Sequence, residues 1–344
     1  MFSVPVIDLC GYLDPHAPAA ERRRIARELD AACSGVGFVQ VRGHGIDPSV
    51  VTGLIDAIDA FFALPLAVKK GYSRPGENRG YSPPKSESLS MSLGVPAANR
   101  MNDFYEAFTV GSERSWFPGH ELPEASYPTN TWPDAVPGFR PAVEAWFAAA
   151  RTVSRALLTA CCDALGLPPG HFDALTDHSI DALKMNNYAL PESEVALADE
   201  LTGMGAHTDF GILTVLWADQ VPGLQVLDQD GGWHDVEPAD GALLVNLGDA
   251  MARWTNDRWR STVHRVAPPV IDGRILRRRS AAFFFDGNHD AVIETLPGCA
   301  RADHPGYPPI TIAGNINAKL AGMKSGVAPA GTADREAARV LSAR

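Results

Sequence analysis

Three polar residues in the second half of the chain have the types and spacing to hold a metal. In Gly205-Ala206-His207-Thr208-Asp209-Phe210-Gly211 an imidazole and a carboxylate stand two residues apart. Residues two apart on a β-strand point to the same face, so His207 and Asp209 converge on one point if this segment is extended. Ser261-Thr262-Val263-His264-Arg265-Val266 offers a second imidazole, His264. Two histidines and one carboxylate are the facial ligand set of a mononuclear iron(II) centre. Three protein ligands leave three positions of an octahedral ion open, two for a chelating 2-oxo acid and one for O2. The pattern is not unique at this level. H-x-D pairs also serve metal hydrolases, and among the ten histidines His234, His289 and His304 compete with His264.

A second constellation is Arg277-Arg278-Arg279-Ser280-Ala281-Ala282-Phe283-Phe284. Two of the three arginines read as a solvated basic edge. Arg278 and Ser280 share a strand face, and a guanidinium beside a hydroxyl binds a carboxylate with two N–H donors and one O–H. Buried, such a fork needs an anion, because an unpaired buried charge is costly. The same parity puts Ala282 and Phe284 on the inward face and Phe283 and Phe285 on the other. Asn186 and Tyr188, again two apart, place two polar tips on one face. They could grip an oxo acid, or be an internally satisfied Asn and a half-buried Tyr. Asp249 is a candidate for orienting a ligand, although a turn residue is the plainer reading; Met251, Trp254 and Trp217 read as core.

These side chains need strands to hold them, and the chain supplies them. From about 180 to 315, short β-rich runs alternate with Gly, Asp, Asn and Pro, the pattern of a double-sheet barrel or sandwich. Upstream, residues 5–9 and 38–41 read as strands. Helices are expected over about 19–33, from Asp47-Pro48 onward, and over about 139–165, stopped by Gly166. Residues 73–100 read as a long loop, of the kind that forms a lid or a linker. The tail beyond about 324 reads as a loosely docked helix or as unstructured.

Composition narrows the partners. A net charge of -11 repels phosphate backbones and anionic membranes. No run of about 18 apolar residues is present to span a bilayer, and no signal peptide is legible. Five cysteines, an odd number with no C-x-x-C pair, suggest neither disulfides nor a zinc ribbon, so a cytoplasmic protein is expected.

Taken together, the motifs resemble the isopenicillin N synthase-like superfamily of Fe(II)/2-oxoglutarate-dependent dioxygenases. The stretches that carry the resemblance are PVIDL (5–9), GFVQVRGHGI (37–46), RGY (79–81), NTWP (130–133), KMNNY (184–188), GAHTDFGILTVL (205–216), VPGLQV (221–226), GALLVNLGDAMARWTNDRWRSTVHRV (241–266) and RRSAAFF (278–284). The resemblance implies an α+β chain with a double-stranded β-helix (jelly-roll) core and flanking helices. Its parts would be a mixed α/β region at 1–120, a helical segment at 121–178, the jelly-roll core at 179–322 and a tail at 323–344. It implies iron on His207, Asp209 and His264, and 2-oxoglutarate on Arg278 and Ser280 with Tyr188 and Asn186 assisting. Phe284 and Lys184 would line the substrate pocket, and no catalytic residue is implied beyond the metal ligands. The implied reaction is oxidation of a C–H bond of a small molecule with release of succinate and CO2, by a monomer. Members that dispense with 2-oxoglutarate use the same Arg-x-Ser pair for a substrate carboxylate, and that is the alternative reading. Ala189 and Asn187 depart from the common pattern, and 82–100 matches none of it.

Overall fold

The computed structural model describes residues 2–74, 76–86, 89, 103–189, 203–271, 274–302 and 306–325. In the first part of the chain come β1 (Val6–Asp8), α1 (Cys10–Leu13), α2 (Ala19–Gly35), β2 (Phe38–Arg42), α3 (Pro48–Phe62), α4 (Leu66–Lys70), β3 (Gly80–Ser82) and β4 (Glu106–Gly111). The long helix α5 (Phe139–Leu165) leads to β5 (Ala182–Tyr188), β6 (Met204–His207), β7 (Leu213–Ala218), β8 (Leu224–Leu227), β9 (Trp233–Asp235) and β10 (Leu243–Leu247). Then follow α6 (Asp249–Trp254), β11 (His264–Val266), β12 (Val270–Ile271), β13 (Arg274–Ile275), β14 (Arg278–Phe285), β15 (Val292–Ile293), β16 (Ile310–Thr311) and α7 (Ile312–Ser325).

The strands form two principal sheets. The large one runs β1-β2-β10-β7-β14-β5-β4-β3 and the small one β6-β11-β8-β9. All pairings in them are antiparallel except β1 with β2. The first third of the chain is thus sewn into the large sheet, with β2 against β10 and β4 against β5.

Helices cover the outer face of the large sheet. Helix α3 starts where Asp47 accepts a hydrogen bond from the Ser49 amide at 2.8 Å, with Pro48 in its first turn. Helix α5 buries Val143, Trp146, Phe147, Ala150, Val153 and Leu157 at helical spacing, and ends at Gly166, whose φ of 67° suits glycine. Strand β14 meets this layer edge to face, with Phe283 4.9 Å from Phe147. Ala281, Phe283 and Phe285 are fully buried there, while Arg278, Ser280, Ala282 and Phe284 line a cavity on the opposite face.

Two expectations need correction. The stretch read as a loop over 73–100 contains β3, which pairs Tyr81 with Phe108 of β4. Three residues among Gly, Ser and Pro give no alternation to detect, and β4 is buried along its whole length, so it shows no alternation either. Asp249 is not a turn residue but the first residue of α6. Residues 87, 88 and 90–100, His304 and the tail from 326 lie outside the described residues.

The two faces of β14 can be separated by mutation. Phe283→Ala is expected to cost about 3–5 kcal/mol in urea unfolding. Phe284→Ala should cost markedly less and alter turnover instead. Equal losses of stability would contradict the assignment of faces.

Candidate active site

His207 and His264 are direct cross-strand partners in β6 and β11. Asp209 follows β6 by two residues. Their ligand atoms lie within 4.8 Å of one another, and Asp209 Oδ1 is 3.9 Å from Nε2 of each histidine. Ligands at right angles on an ion with bonds of about 2.1 Å stand about 3.0 Å apart, so small side-chain rotations would close the set.

The tautomers suit metal binding. Nδ1 of His207 is 2.7 Å from the Gly205 carbonyl, and Nδ1 of His264 is 3.1 Å from that of Thr262. A carbonyl can only accept, so each Nδ1 carries the hydrogen and each Nε2 keeps its lone pair for the ion. Burial, together with the facing His264 ring, pushes His207 down to about 3, which keeps it neutral at pH 7. Burial opposes ionisation of Asp209 but is outweighed by the two imidazoles and by donors from Thr214 and Asn246, so its carboxyl stays below the usual value.

Those donors are a feature the sequence reading missed. Thr214 Oγ1 and Asn246 Nδ2 donate to Asp209 Oδ2 at 2.5 and 2.6 Å, and leave Oδ1 turned toward the histidines. Thr214 and Asn246 pair across β7 and β10. The small sheet therefore supplies the imidazoles, and the large sheet fixes the carboxylate.

Arg278 lies along the same cavity, 2% exposed, and its Nε and Nη1 have no hydrogen-bond partner. Its sequence neighbours are paired on the outer face: Arg277 with Asp59 at 2.8 Å, and Arg279 with Asp59 at 2.6 Å. Register sets Arg278 opposite Tyr188 and Ser280 opposite Asn186. Asn186 Nδ2 donates to Ser280 Oγ at 3.3 Å, while Asn186 Oδ1 has no partner. The Tyr188 ring lies 5.3 Å from the Arg278 guanidinium. A buried cation without a counter-charge among the described residues, flanked by unsatisfied polar atoms, fits an anionic ligand.

The inner cavity holds about 120 Å³ and opens into an outer cleft of about 820 Å³. Phe284, Phe210, Leu216, Ile316 and Leu320 give the cavity apolar walls, and Lys184 reaches it with Nζ 3.1 Å from Tyr105 Oη. All nine residues expected at the site border this one cavity. Two of the rival histidines point elsewhere: His234 faces Asp228 and His289 lies beside Asp290.

Family models match over two stretches: residues 4–135 fit the non-haem dioxygenase in morphine synthesis N-terminal family, and residues 180–287 the 2OG-Fe(II) oxygenase superfamily. The 2-oxoglutarate-Fe(II) type oxidoreductase hxnY of Emericella nidulans is 34% identical over 316 residues, covering 90% of this chain and 86% of that protein. This chain belongs to the 2-oxoglutarate- and iron(II)-dependent oxygenases. The validamycin A dioxygenase of Streptomyces hygroscopicus subsp. limoneus is 31% identical, over 86% of this chain and 80% of its own. Among solved structures, a full-length Neurospora crassa protein in complex with alpha-KG and 5-formyluracil superposes with a TM-score of 0.77 at 27% identity, covering 92% of this chain and 96% of its own. A 2OG-Fe(II) oxygenase family protein from Caulobacter crescentus gives 0.79 at 29% identity, covering 93% and 99%.

The donor set fits what a 2-oxoglutarate oxygenase binds: two neutral imidazoles and a carboxylate suit iron(II), and the partnerless guanidinium suits a dicarboxylate. Further groups brace the oxygenase's ligand loop. The amides of Asp249 and Ala250 donate to the carbonyls of Asp209 and Gly211 at 2.8 and 3.0 Å, so the start of α6 holds the loop. A side chain on Gly248 would run into the Gly211 backbone. Lys319 of α7, 3% exposed, pairs with Asp249 at 2.8 Å and lies 3.5 Å from Thr208 Oγ1. Asn315 donates to the Phe210 carbonyl at 2.8 Å. Helix α7 is thus fastened to the loop that carries Asp209.

Asp286 is the other group missed, although one more step of the 278-280-282-284 parity reaches it. It is 8% exposed, borders both cavity and cleft, and sits so close to Gly211 that a Cβ there would clash with its carboxyl. Burial, with Asp181 and Asp209 nearby, pushes that carboxyl well above the usual range.

Two measurements test the site. Arg278→Gln is expected to raise the apparent KM for 2-oxoglutarate about 100-fold, the scale of a lost charged bidentate pair; an unchanged value would remove Arg278 from that role. Lys319→Met should weaken iron binding about tenfold, with the KM for 2-oxoglutarate unchanged. An unaltered iron titration would show that α7 does not support the ligand loop.

Proposed function

We propose that this enzyme oxidises a compact, largely apolar metabolite, with iron held by His207, Asp209 and His264 and 2-oxoglutarate anchored by Arg278 and Ser280. Asn186 and Tyr188 complete the anion pocket, and Phe284, Lys184 and Asp286 meet the substrate. The observation that carries this reading is the partnerless Arg278 guanidinium in the same enclosed space as three convergent ligand atoms. Iron(II) bound there, with 2-oxoglutarate and O2, supplies the oxidising power, yielding succinate and CO2 as a substrate C–H bond is hydroxylated, or is desaturated or cyclised.

The protein's part is position and shielding. Thr214 and Asn246 hold Asp209 so that one oxygen serves the ion. Backbone carbonyls fix the two imidazole tautomers. Arg278 and Ser280 orient the co-substrate from its distal end, so that its oxo acid group points toward the triad. Phe210, Phe284, Ile316 and Leu320 keep bulk water from the reacting C–H bond. At the Asp286 end, burial pushes the carboxyl well above its usual range, and its oxygens offer hydrogen bonds to a substrate with a polar edge such as an amide or a hydroxyl. The Neurospora crassa structure, with 5-formyluracil bound, is an example of a small polar-edged ligand in a related chain. The relatives' printed names, validamycin A dioxygenase and clavatol oxidase among them, support a role in specialised metabolism. Five free thiols suit a reducing cytoplasm, where we place the enzyme. Among the described residues, no helix is long and apolar enough to cross a membrane.

The test is 2-oxoglutarate-dependent succinate release across a panel of small metabolites, in pairs that differ only in an amide or hydroxyl edge. The edged member of a pair is expected to stimulate release and its plain partner to stimulate much less. For the stimulating compound, Asp286→Ala should raise KM about tenfold or more, the worth of one buried hydrogen bond, and leave the KM for 2-oxoglutarate alone. No release with any compound, under iron and ascorbate, would count against the whole reading.

A further inference from the structure

A second group of metal-binding side chains lies away from the cavity. Asp177 and His178 precede β5, His289 and Asp290 follow β14, and His120 lies on the loop before α5. Two overlapping sets in this group bring their ligand atoms within 4.8 Å, the same closeness as in the triad: His120, Asp177 and His178, and His178, His289 and Asp290.

His178 is the centre of it. Its Nδ1 is 2.6 Å from Asp177 Oδ1 and its Nε2 is 3.2 Å from Asp290 Oδ1. A neutral imidazole has one N–H and can donate to one of these carboxylates only. With the Nδ1–H given to Asp177, Nε2 and Asp290 Oδ1, 3.2 Å apart, stand close enough to share one cation. Asp177 is the carboxylate placed to receive the N–H. Asn288, 2% exposed, donates to Asp177 Oδ1 at 2.7 Å and accepts from the His178 amide at 2.9 Å, so the Asp177–His178 pair is held by a buried frame. A carboxylate on the far nitrogen of a histidine is the arrangement that orients metal-bound imidazoles. Tyr127 adds to the frame: its hydroxyl donates to the His178 carbonyl at 2.5 Å, and its ring meets that of His289 at 5.6 Å. The ring of His120 lies 4.6 Å from that of His178, close to the 4.3 Å between His207 and His264.

We propose that His178, through Nε2, with His289 and Asp290 binds a divalent first-row transition ion, zinc before others, with Asp177 orienting His178. Two nitrogens and one oxygen are borderline donors that favour zinc over magnesium or calcium. The ion would join the segment entering β5 to the segment leaving β14, the two strands that carry Lys184, Asn186, Tyr188, Arg278, Ser280 and Phe284. Its role is structural: it ties the outer ends of the strand pair.

The test removes the triad first, so that the two sites are counted apart. Equilibrium dialysis of the folded His207→Ala/His264→Ala chain against zinc chloride, followed by metal analysis, is expected to give one zinc per chain. Adding His289→Gln and Asp290→Asn should abolish that binding, and adding Asp177→Asn instead should raise the half-saturating zinc concentration about 10- to 100-fold. In the otherwise native chain, His289→Gln/Asp290→Asn should lower zinc stoichiometry from two to one, keep 2-oxoglutarate binding to the iron-loaded protein, and remove the zinc-induced rise in Tm. Absence of zinc from the triad-less chain, or retention after both ligand changes, would overturn the proposal without touching the iron site. If the triad-less chain does not fold, the native-chain stoichiometry decides alone.

Discussion

The two-residue period of a β-strand is the constraint on which this structure turns. Strand β14 serves two environments at once. Ala281, Phe283 and Phe285 complete a dry core under α5, while Arg278, Ser280, Ala282 and Phe284 line the cavity. A slip of one residue would bury three aromatic and apolar side chains against the ligands and drive a guanidinium into the core, so both faces fix the same register. The neighbouring strands repeat the logic. β5 sets Asn186 and Tyr188 opposite Ser280 and Arg278, and β7 sets Thr214 opposite Asn246 of β10 and opposite Phe284 of β14.

Charge placement follows from that register. Three consecutive arginines can be tolerated because alternation sends Arg277 and Arg279 outward to Asp59 and Asp219, where water helps to carry their charge. Arg278 alone turns inward, where only a bound anion can offset the cost of burying it. The acidic side of the site is organised in the opposite sense. Asp209 has its own donors in Thr214 and Asn246, which hold one of its oxygens and leave the other facing the two imidazoles. Asp209 is thus held by donors of the protein itself, while Nε and Nη1 of Arg278 have no partner among the described residues.

What the sequence revealed, and what it hid, has the same origin. Residues two apart within one strand could be read directly, which is why His207 with Asp209, Asn186 with Tyr188 and Arg278 with Ser280 stand out as pairs. The bond from Asn246 to Asp209 joins elements from different parts of the chain, and spacing carries no trace of it. Helices α2, α3 and α5 are legible from apolar periodicity and from the caps at Asp47 and Gly166. Strands β3 and β4 are not, one being too short and the other buried on both faces. Asp249 looks like a turn residue because Gly248 precedes it, and its tie to Lys319, far along the chain, is invisible until α7 is seen folded against the ligand loop.

Asp286 shows how the same line of residues also sorts chemistry along its length. Alternate inward positions lie about 6.6 Å apart, so the five from Arg278 to Asp286 span about 26 Å. Along that line the side chains pass from a cation through a hydroxyl, a methyl and a phenyl ring to a carboxyl. Asp209 reaches the cavity toward the Asp286 end of that line, since Thr214, which holds it, pairs with Phe284. A buried guanidinium therefore stands at one end of the line and a buried carboxyl at the other. A ligand entering the wrong way round would set its carboxylate against Asp286 and leave Arg278 unpaired. One strand and the residue after it thus carry a change of charge along a single inward line.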